Sequence, residues 1–154
     1  MNFTFGDHQI VEEPKQNSLH WHDEGVHSAV NVGDKVARFI VVYRKLSRLF
    51  EYSVVGGAED FTCVAPGKSE VLLENPYMRV ARFVLQPGES LPRHRGLNRV
   101  AYAQTPFTMS YASDNWTIDQ TFEAGSVQYY EADTHSITNI GSTEARYLMF
   151  EMRE

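Results

Sequence analysis

Six histidines and one cysteine are the residues of this chain best suited to chemistry. His20-Trp21-His22 is the sole His-x-His, and on a strand residues i and i+2 share a face, which is the geometry a metal needs. Asp23, Glu24 and His27 stand close by. A polar exposed hairpin is the competing and preferred reading of that segment. His135 has Asn139 four residues on, so on a strand both point the same way. Cys63 has no neighbouring His or basic residue to lower its pKa, so it is not read as a reactive thiol. One cysteine also excludes an intrachain disulfide and a multi-cysteine zinc site.

The elements that must position these residues read as β. Val80–Gln86, Asn98–Thr105, Thr108–Ala112, Trp116–Phe122, Val127–Tyr130, His135–Ile140 and Tyr147–Met152 are short runs rich in Tyr, Phe, Val, Ile and Thr. Gly, Pro, Asn, Asp or Ser bound each of them, which predicts a sandwich or closed barrel. Helical spacing occurs in Arg44–Tyr52, where Leu46, Leu49 and Phe50 fall at i, i+3 and i+4. A turn or two of connecting helix is predicted there.

The chain also repeats itself. Residues 27–39, HSAVNVGDKVARF, and residues 135–147, HSITNIGSTEARY, are identical at six of thirteen positions without a gap. The same offset of 108 carries back to align Ile10 with Ile118, Ser18 with Ser126, and Trp21 with Tyr129. It also places His20 and His22 on Gln128 and Tyr130, which are not ligand types. Residues 1–45 therefore read as a second copy of 109–153 that lacks the front half. Unpaired strand edges need a cover, so a homodimer with residues 1–45 in its interface is expected.

Residues 70–154 resemble the cupin superfamily of small β-barrels. Gly88, five residues and then His94 match the start of its first motif, and Gly125, His135 and Asn139 match the second in type. Val71–Val80 resembles the strand leading into such a barrel, and Gly141–Met152 its closing strand. The resemblance implies an all-β fold, an antiparallel double-stranded β-helix or jelly roll. It divides the chain into a partial repeat at 1–45, a connector with a short helix at 46–69, and a barrel at 70–154.

The departures from that pattern shape the functional expectation. Metal-binding cupins use two His and a Glu from the first motif and a His from the second. Here Gly96 stands two after His94, and Asn98, Arg99 and Val100 surround the Glu position. Divalent metals want three or four N, O or S ligands, so no metal ligands and no cofactor are assigned. A divalent transition metal is the minor alternative. The leading expectation is a metal-independent acid–base enzyme of the isomerase, epimerase or dehydratase type acting on an anionic small molecule. Its catalytic residues are His94, His135 and Tyr102, and its substrate-binding residues are Arg99, Arg82, Asn139 and Tyr130. Two histidines titrating near neutrality suit proton transfer, and Arg grips a carboxylate or phosphate with paired hydrogen bonds. The alternatives are a metal-dependent dioxygenase or lyase and a non-catalytic ligand-binding barrel.

Charge and hydropathy bound the partners. With 14 Lys+Arg against 20 Asp+Glu the formal charge is −6, and no basic run offers a footprint for nucleic acid. The longest apolar run, Phe39–Tyr43, is far short of a membrane span, and the N-terminus lacks the basic head and apolar core of a secretory signal. A cytoplasmic protein is expected.

Overall fold

Strand alternation decides which side chains reach the centre of the barrel. In β5, Met78–Leu85, it turns Arg79, Ala81, Phe83 and Leu85 inward. In β7, Arg99–Ala103, it does so for Arg99, Ala101 and Ala103. β8 (Phe107–Ser113), β11 (Asp133–Asn139) and β12 (Ala145–Met152) follow the same period of two, which is what a pleated strand imposes. The computed structural model describes residues 1–5, 7–43 and 56–153, which fall into two units, Met1–Lys45 and Leu46–Glu154.

The second unit is an antiparallel two-sheet barrel. β4 (Ser69–Glu74), β6 (Ser90–Gly96), β9 (Thr117–Phe122) and β10 (Val127–Tyr130) complete it. One sheet runs β10-β7-β12-β5-β4 and the other β6-β11-β8-β9. Phe83, Leu85, Leu91, Phe107, Met109, Ile137, Tyr147 and Met149 form the core between them. Two parts of the sequence reading need correction. The opening run 71–80 is two strands, because Asn75 Oδ1 accepts from the backbone N–H of both Tyr77 and Met78 at 2.9 Å and turns the chain. Residues 90–96 are a strand despite Pro92, which an edge strand tolerates.

β6 also carries a bulge. His94 pairs with His135 and Leu91 with Ile137, so two residues of β6 oppose Ser136 alone. The extra residue reverses the alternation, and Leu91, His94 and Gly96 all turn inward.

A four-residue helix, α1 (Phe61–Val64), precedes the barrel strands. Asp60 caps it by accepting from the Thr62 N–H at 2.9 Å and the Thr62 hydroxyl at 2.6 Å. The helix expected at Arg44–Tyr52 lies outside the described residues.

The first unit is a three-stranded antiparallel sheet. β1 (Asn2–Phe5) lies between β2 (His8–Val11) and β3 (His27–Val30). Among its described residues no strand follows Val30.

Candidate functional site

The site lies inside the barrel, where β6, β7, β8 and β11 converge. His94, Arg99, His135 and Asn139 are all at most 3% exposed. Arg99 is its centre. Nη1 donates to the carbonyls of Leu97 (2.9 Å) and Glu131 (3.0 Å). Nη2 donates to the Tyr111 hydroxyl at 2.6 Å and to Asp133 Oδ1 at 2.9 Å, and lies 3.1 Å from His135 Nδ1. Tyr111 in turn donates to Asp133 Oδ2 at 2.6 Å. One buried cation is thus tied to one carboxylate, directly and through a phenol.

Aromatic rings wall this cluster. Tyr111 stacks on His135 (4.6 Å, 8°), on Tyr130 (5.1 Å, 4°) and on Trp116 (5.2 Å, 15°). The Arg99 guanidinium carbon lies 5.2 Å from the centre of the Tyr130 ring. His94 and His135 are neighbours, their ring centres 4.2 Å apart. His94 Nδ1 is 2.8 Å from the Pro92 carbonyl, which can only accept, so Nδ1 carries the proton and Nε2 is bare.

These surroundings fix the protonation states. Burial, then the charges of Arg99 and His94, push His135 down to about 2, so it is neutral at ordinary pH although Asp133 Oδ1 is 3.0 Å away. Burial also lowers His94. Burial, reinforced by the hydrogen bond to Asp133, raises Tyr111 above its usual range and keeps it protonated.

The residues present do not fit a divalent metal. A Cβ built on Gly96 would sit 2.6 Å from Arg99 Nη1, 2.7 Å from its Cζ and 2.9 Å from His135 Cε1. The guanidinium fills the space that a ligand side chain at position 96 would need. Of Asn98, Arg99 and Val100, Arg99 is the one fully buried. Among the described residues no group of three or more His, Cys, Asp or Glu could hold an ion, and this includes the stacked rings of His20, His22 and His27.

Several residues selected from the sequence stand elsewhere. Tyr102 is on the opposite face of β7 from Arg99, Ala101 and Ala103, so it cannot assist inside the barrel. Arg82 faces outward from β5 and pairs with Glu70 at 3.1 Å instead of joining Arg99. Asn139 is a turn cap. It donates to the carbonyls of Leu85 (2.9 Å) and Thr143 (2.8 Å) and accepts from the Gly141 N–H (3.1 Å), so both of its donor hydrogens are spent on the turn. Tyr130 is at the site through its ring, while its hydroxyl donates to Gln120 at 2.7 Å. The sequence reading missed Asp133 and gave Tyr111 no special place. Asp133 stands two before His135 on the same strand, so the period of two already puts it on the same face.

Beside the Arg99 cluster the barrel is packed. A void of about 10 Å³ lies among Ala101, Ala103, Met109, Phe122, Ile137 and Met149, room for one water molecule. Arg99 Nε and Tyr147 Oη line this region without a protein hydrogen-bond partner. Level with Arg99 on the same sheet, with Glu151 between them, Arg79 binds Glu151 (2.8 and 2.5 Å) and Asp60 (2.9 Å), all three buried, with Phe61 4.1 Å from its guanidinium carbon. Phe61 packs edge-on against His94 at 6.4 Å.

This two-sheet barrel with inward His on β6 and β11 belongs to the double-stranded β-helix class. Comparison with solved structures places it more narrowly. The chain is similar to a cupin domain from Bordetella pertussis Tohama I, with 18% identity and a TM-score of 0.53 over 56% of this chain and 92% of that one. It also matches an RmlC-like cupin family protein from Methanocaldococcus jannaschii (14% identity, TM-score 0.48, 71% and 94% of the two chains). A predicted oxalate decarboxylase from Thermotoga maritima matches at 21% identity and TM-score 0.46, over 56% and 79%. No protein-family model matches the chain, and no curated protein sequence does. The barrel has the cupin fold, as the Bordetella structure shows.

Proposed function

We propose that the chain is a metal-independent cupin that acts on a small molecule by proton transfer, with Arg99 as a fixed cation where other cupins hold a metal. The observation that carries this reading is the Arg99 guanidinium itself, wedged against Gly96 and hydrogen-bonded to Tyr111 and Asp133. The acid–base pair differs from the expected one. A histidine whose pKa is pushed to about 2 stays neutral and cannot pass protons at ordinary pH, which removes His135 from that role. Asp133 replaces it, because its side chain is 28% exposed while Arg99 and His135 are sealed.

The proposed step balances simply. The Asp133 carboxylate takes a proton from carbon or oxygen of the substrate, and the electron pair left behind becomes an enolate-like or alkoxide oxygen. The fixed charge of Arg99, held in place behind Asp133, offsets the charge that develops on that oxygen. Return of the proton to a different atom or face completes an isomerisation or epimerisation. Loss of a hydroxyl as water makes it a dehydration.

The test is solvent deuterium exchange into a panel of small carbonyl and carboxylate compounds, followed by proton NMR. Exchange is expected with the wild type, unchanged by a chelator, and lowered by about two to four powers of ten in Asp133→Asn. Full exchange in that variant, or loss of exchange on chelation, contradicts the reading. The close packing, with a void of about 10 Å³ that admits one water molecule, favours a second reading, a barrel that has lost its pocket. That reading predicts no exchange and no thermal stabilisation by any compound of the panel.

A further inference from the structure

The end of the barrel at which Arg79, Arg99 and Glu151 stand is stopped by a piece of the chain itself. Residues 57–67 run from Gly57 through α1 to Gly67, with φ of +118° and +87° at the two glycines, where a side chain would be strained. Among the described residues, one backbone hydrogen bond ties this segment to a barrel strand, from the Arg95 N–H to the Glu59 carbonyl at 2.9 Å. The rest of its hold comes from side chains. Phe61 is buried and packs edge-on against Phe83, with ring centres 4.9 Å apart, and against His94. Asp60, also buried, accepts from Arg79 Nη1 at 2.9 Å. A cavity of about 140 Å³ lies beside the segment, lined by residues 56–60, Arg79, Arg95 and Leu97.

Asp60 and Phe61 meet one group. The Arg79 guanidinium receives the Asp60 carboxylate at its edge, and the Phe61 ring covers its face, its centre 4.1 Å from Cζ. Glu151 holds the other edge through Nε at 2.8 Å and Nη2 at 2.5 Å, so Arg79 keeps an anchor and a counter-charge without Asp60. The slot for the ring is likewise built by barrel residues, Phe83 on β5 and His94 on β6. A fixed cation beside an aromatic slot is a site for a ligand that carries a negative charge and a ring. The chain's own Asp60 and Phe61 fill it.

We propose that α1 is a displaceable plug and that the site beneath it takes a small arylalkanoate, a carboxylate joined to an aromatic ring through a short saturated spacer. The ligand's carboxylate takes the place of Asp60 on Arg79 Nη1, and its ring takes the place of Phe61 between Arg79, Phe83 and His94. The spacer follows from the geometry. One guanidinium is met in its plane by the carboxylate and over its face by the ring, and a flat benzoate cannot do both. The segment swings about its glycines, and the cavity of about 140 Å³ gives it and the ligand room at Arg79. Leu97 joins the site to the Arg99 cluster, since its carbonyl accepts from Arg99 and its N–H donates to Glu151 at 3.4 Å. Occupancy of the site needs no proton transfer at Asp133.

Ligand-observed NMR titration of the full chain with phenylacetate tests this, beside the double variant Asp60→Ala with Phe61→Ala. The wild type must first expel its own plug, so the double variant is expected to bind at least about tenfold more tightly. Toluene, acetate and benzoate are each expected to bind that variant at least about tenfold more weakly than phenylacetate does. A second measurement uses the wild type. Phenylacetate at tens of millimolar is expected to speed hydrogen exchange at the Cys63, Val64 and Ala65 N–H groups, which donate to the Asp60 and Phe61 carbonyls, while β5 and β12 stay unchanged. This measurement stands alone if the double variant does not fold. Equal affinity of wild type and variant, no binding to the variant, or toluene binding as well as phenylacetate overturns the proposal. So does exchange in α1 that phenylacetate leaves unchanged or slows. Binding is read without turnover, so it can fail while deuterium exchange through Asp133 succeeds, and the reverse.

Discussion

Gly96 and Arg99 exclude each other's alternatives. With a Cβ at position 96 the guanidinium would be met at 2.6 Å, and because Arg99 is held by Tyr111, Asp133 and two carbonyls it cannot step aside freely. Gly96→Ala is therefore expected to destabilise the barrel by about 1–3 kcal/mol in chemical denaturation, the usual cost of overpacking. Gly96→Ala combined with Arg99→Met is expected to cost less than the sum of the two single variants, since each relieves the other's defect. His135 gives a second, pH-dependent signature. Its folded pKa of about 2 is below the unfolded value of 6.5, so the unfolded chain takes up a proton that the folded chain refuses. Its contribution is intact above pH 6.5, and stability falls as pH drops below that, by up to about 1.4 kcal/mol per unit. His94, also lowered, adds to the same slope. Urea unfolding between pH 7 and pH 5 measures it, and His135→Phe is expected to flatten the curve. A slope unchanged by that substitution contradicts a neutral buried His135. His94, His135 and Arg99 could be found in the sequence because they keep motif spacing. Asp133 shares the face of His135 by the period of two, but its pairing with Tyr111 could not be read, because a phenol and a carboxylate become a pair only when β8 and β11 are in register.

At the scale of elements, the bulge in β6 and the cap of α1 do the positioning. Without the extra residue at Pro92–Arg93, a strict alternation from Leu91 would turn His94 outward. α1 is fastened by the buried Asp60–Arg79–Glu151 cluster, and it carries Phe61 onto Phe83 and His94. Removing the cation strands two buried carboxylates, so Arg79→Met is expected to cost about 3–5 kcal/mol. Thermal unfolding followed by near-ultraviolet dichroism would report it. A change under 1 kcal/mol would show that the two carboxylates are satisfied without Arg79. The strand runs were legible because Gly, Pro and Asn punctuate them, and β7 to β12 lie within a few residues of where alternation put them. The bulge and α1 were not, since Pro92 disguises β6 and a four-residue helix has too little periodicity to register. Tyr102 and Arg82 were misplaced for one reason. A register cannot be read from a strand alone, and one residue of phase moves a side chain to the other face.

For the whole molecule, the chain combines one complete cupin-fold barrel with an N-terminal sheet built to the same register as half of one. Among the described residues no helix is long and apolar enough to cross a membrane. The barrel's interior holds a buried arginine tied to a tyrosine and an aspartate, which we propose stands in place of a metal site. That exchange is the central claim, and elemental analysis of untagged protein, before and after chelation and reloading with iron, zinc, manganese and nickel, tests it most directly. The account predicts no stoichiometric metal in either sample, because the Arg99 guanidinium fills the space that a ligand side chain at position 96 would need. A transition metal near one per chain that is lost to the chelator and regained on reloading, with His94 and His135 required for it, would contradict the account.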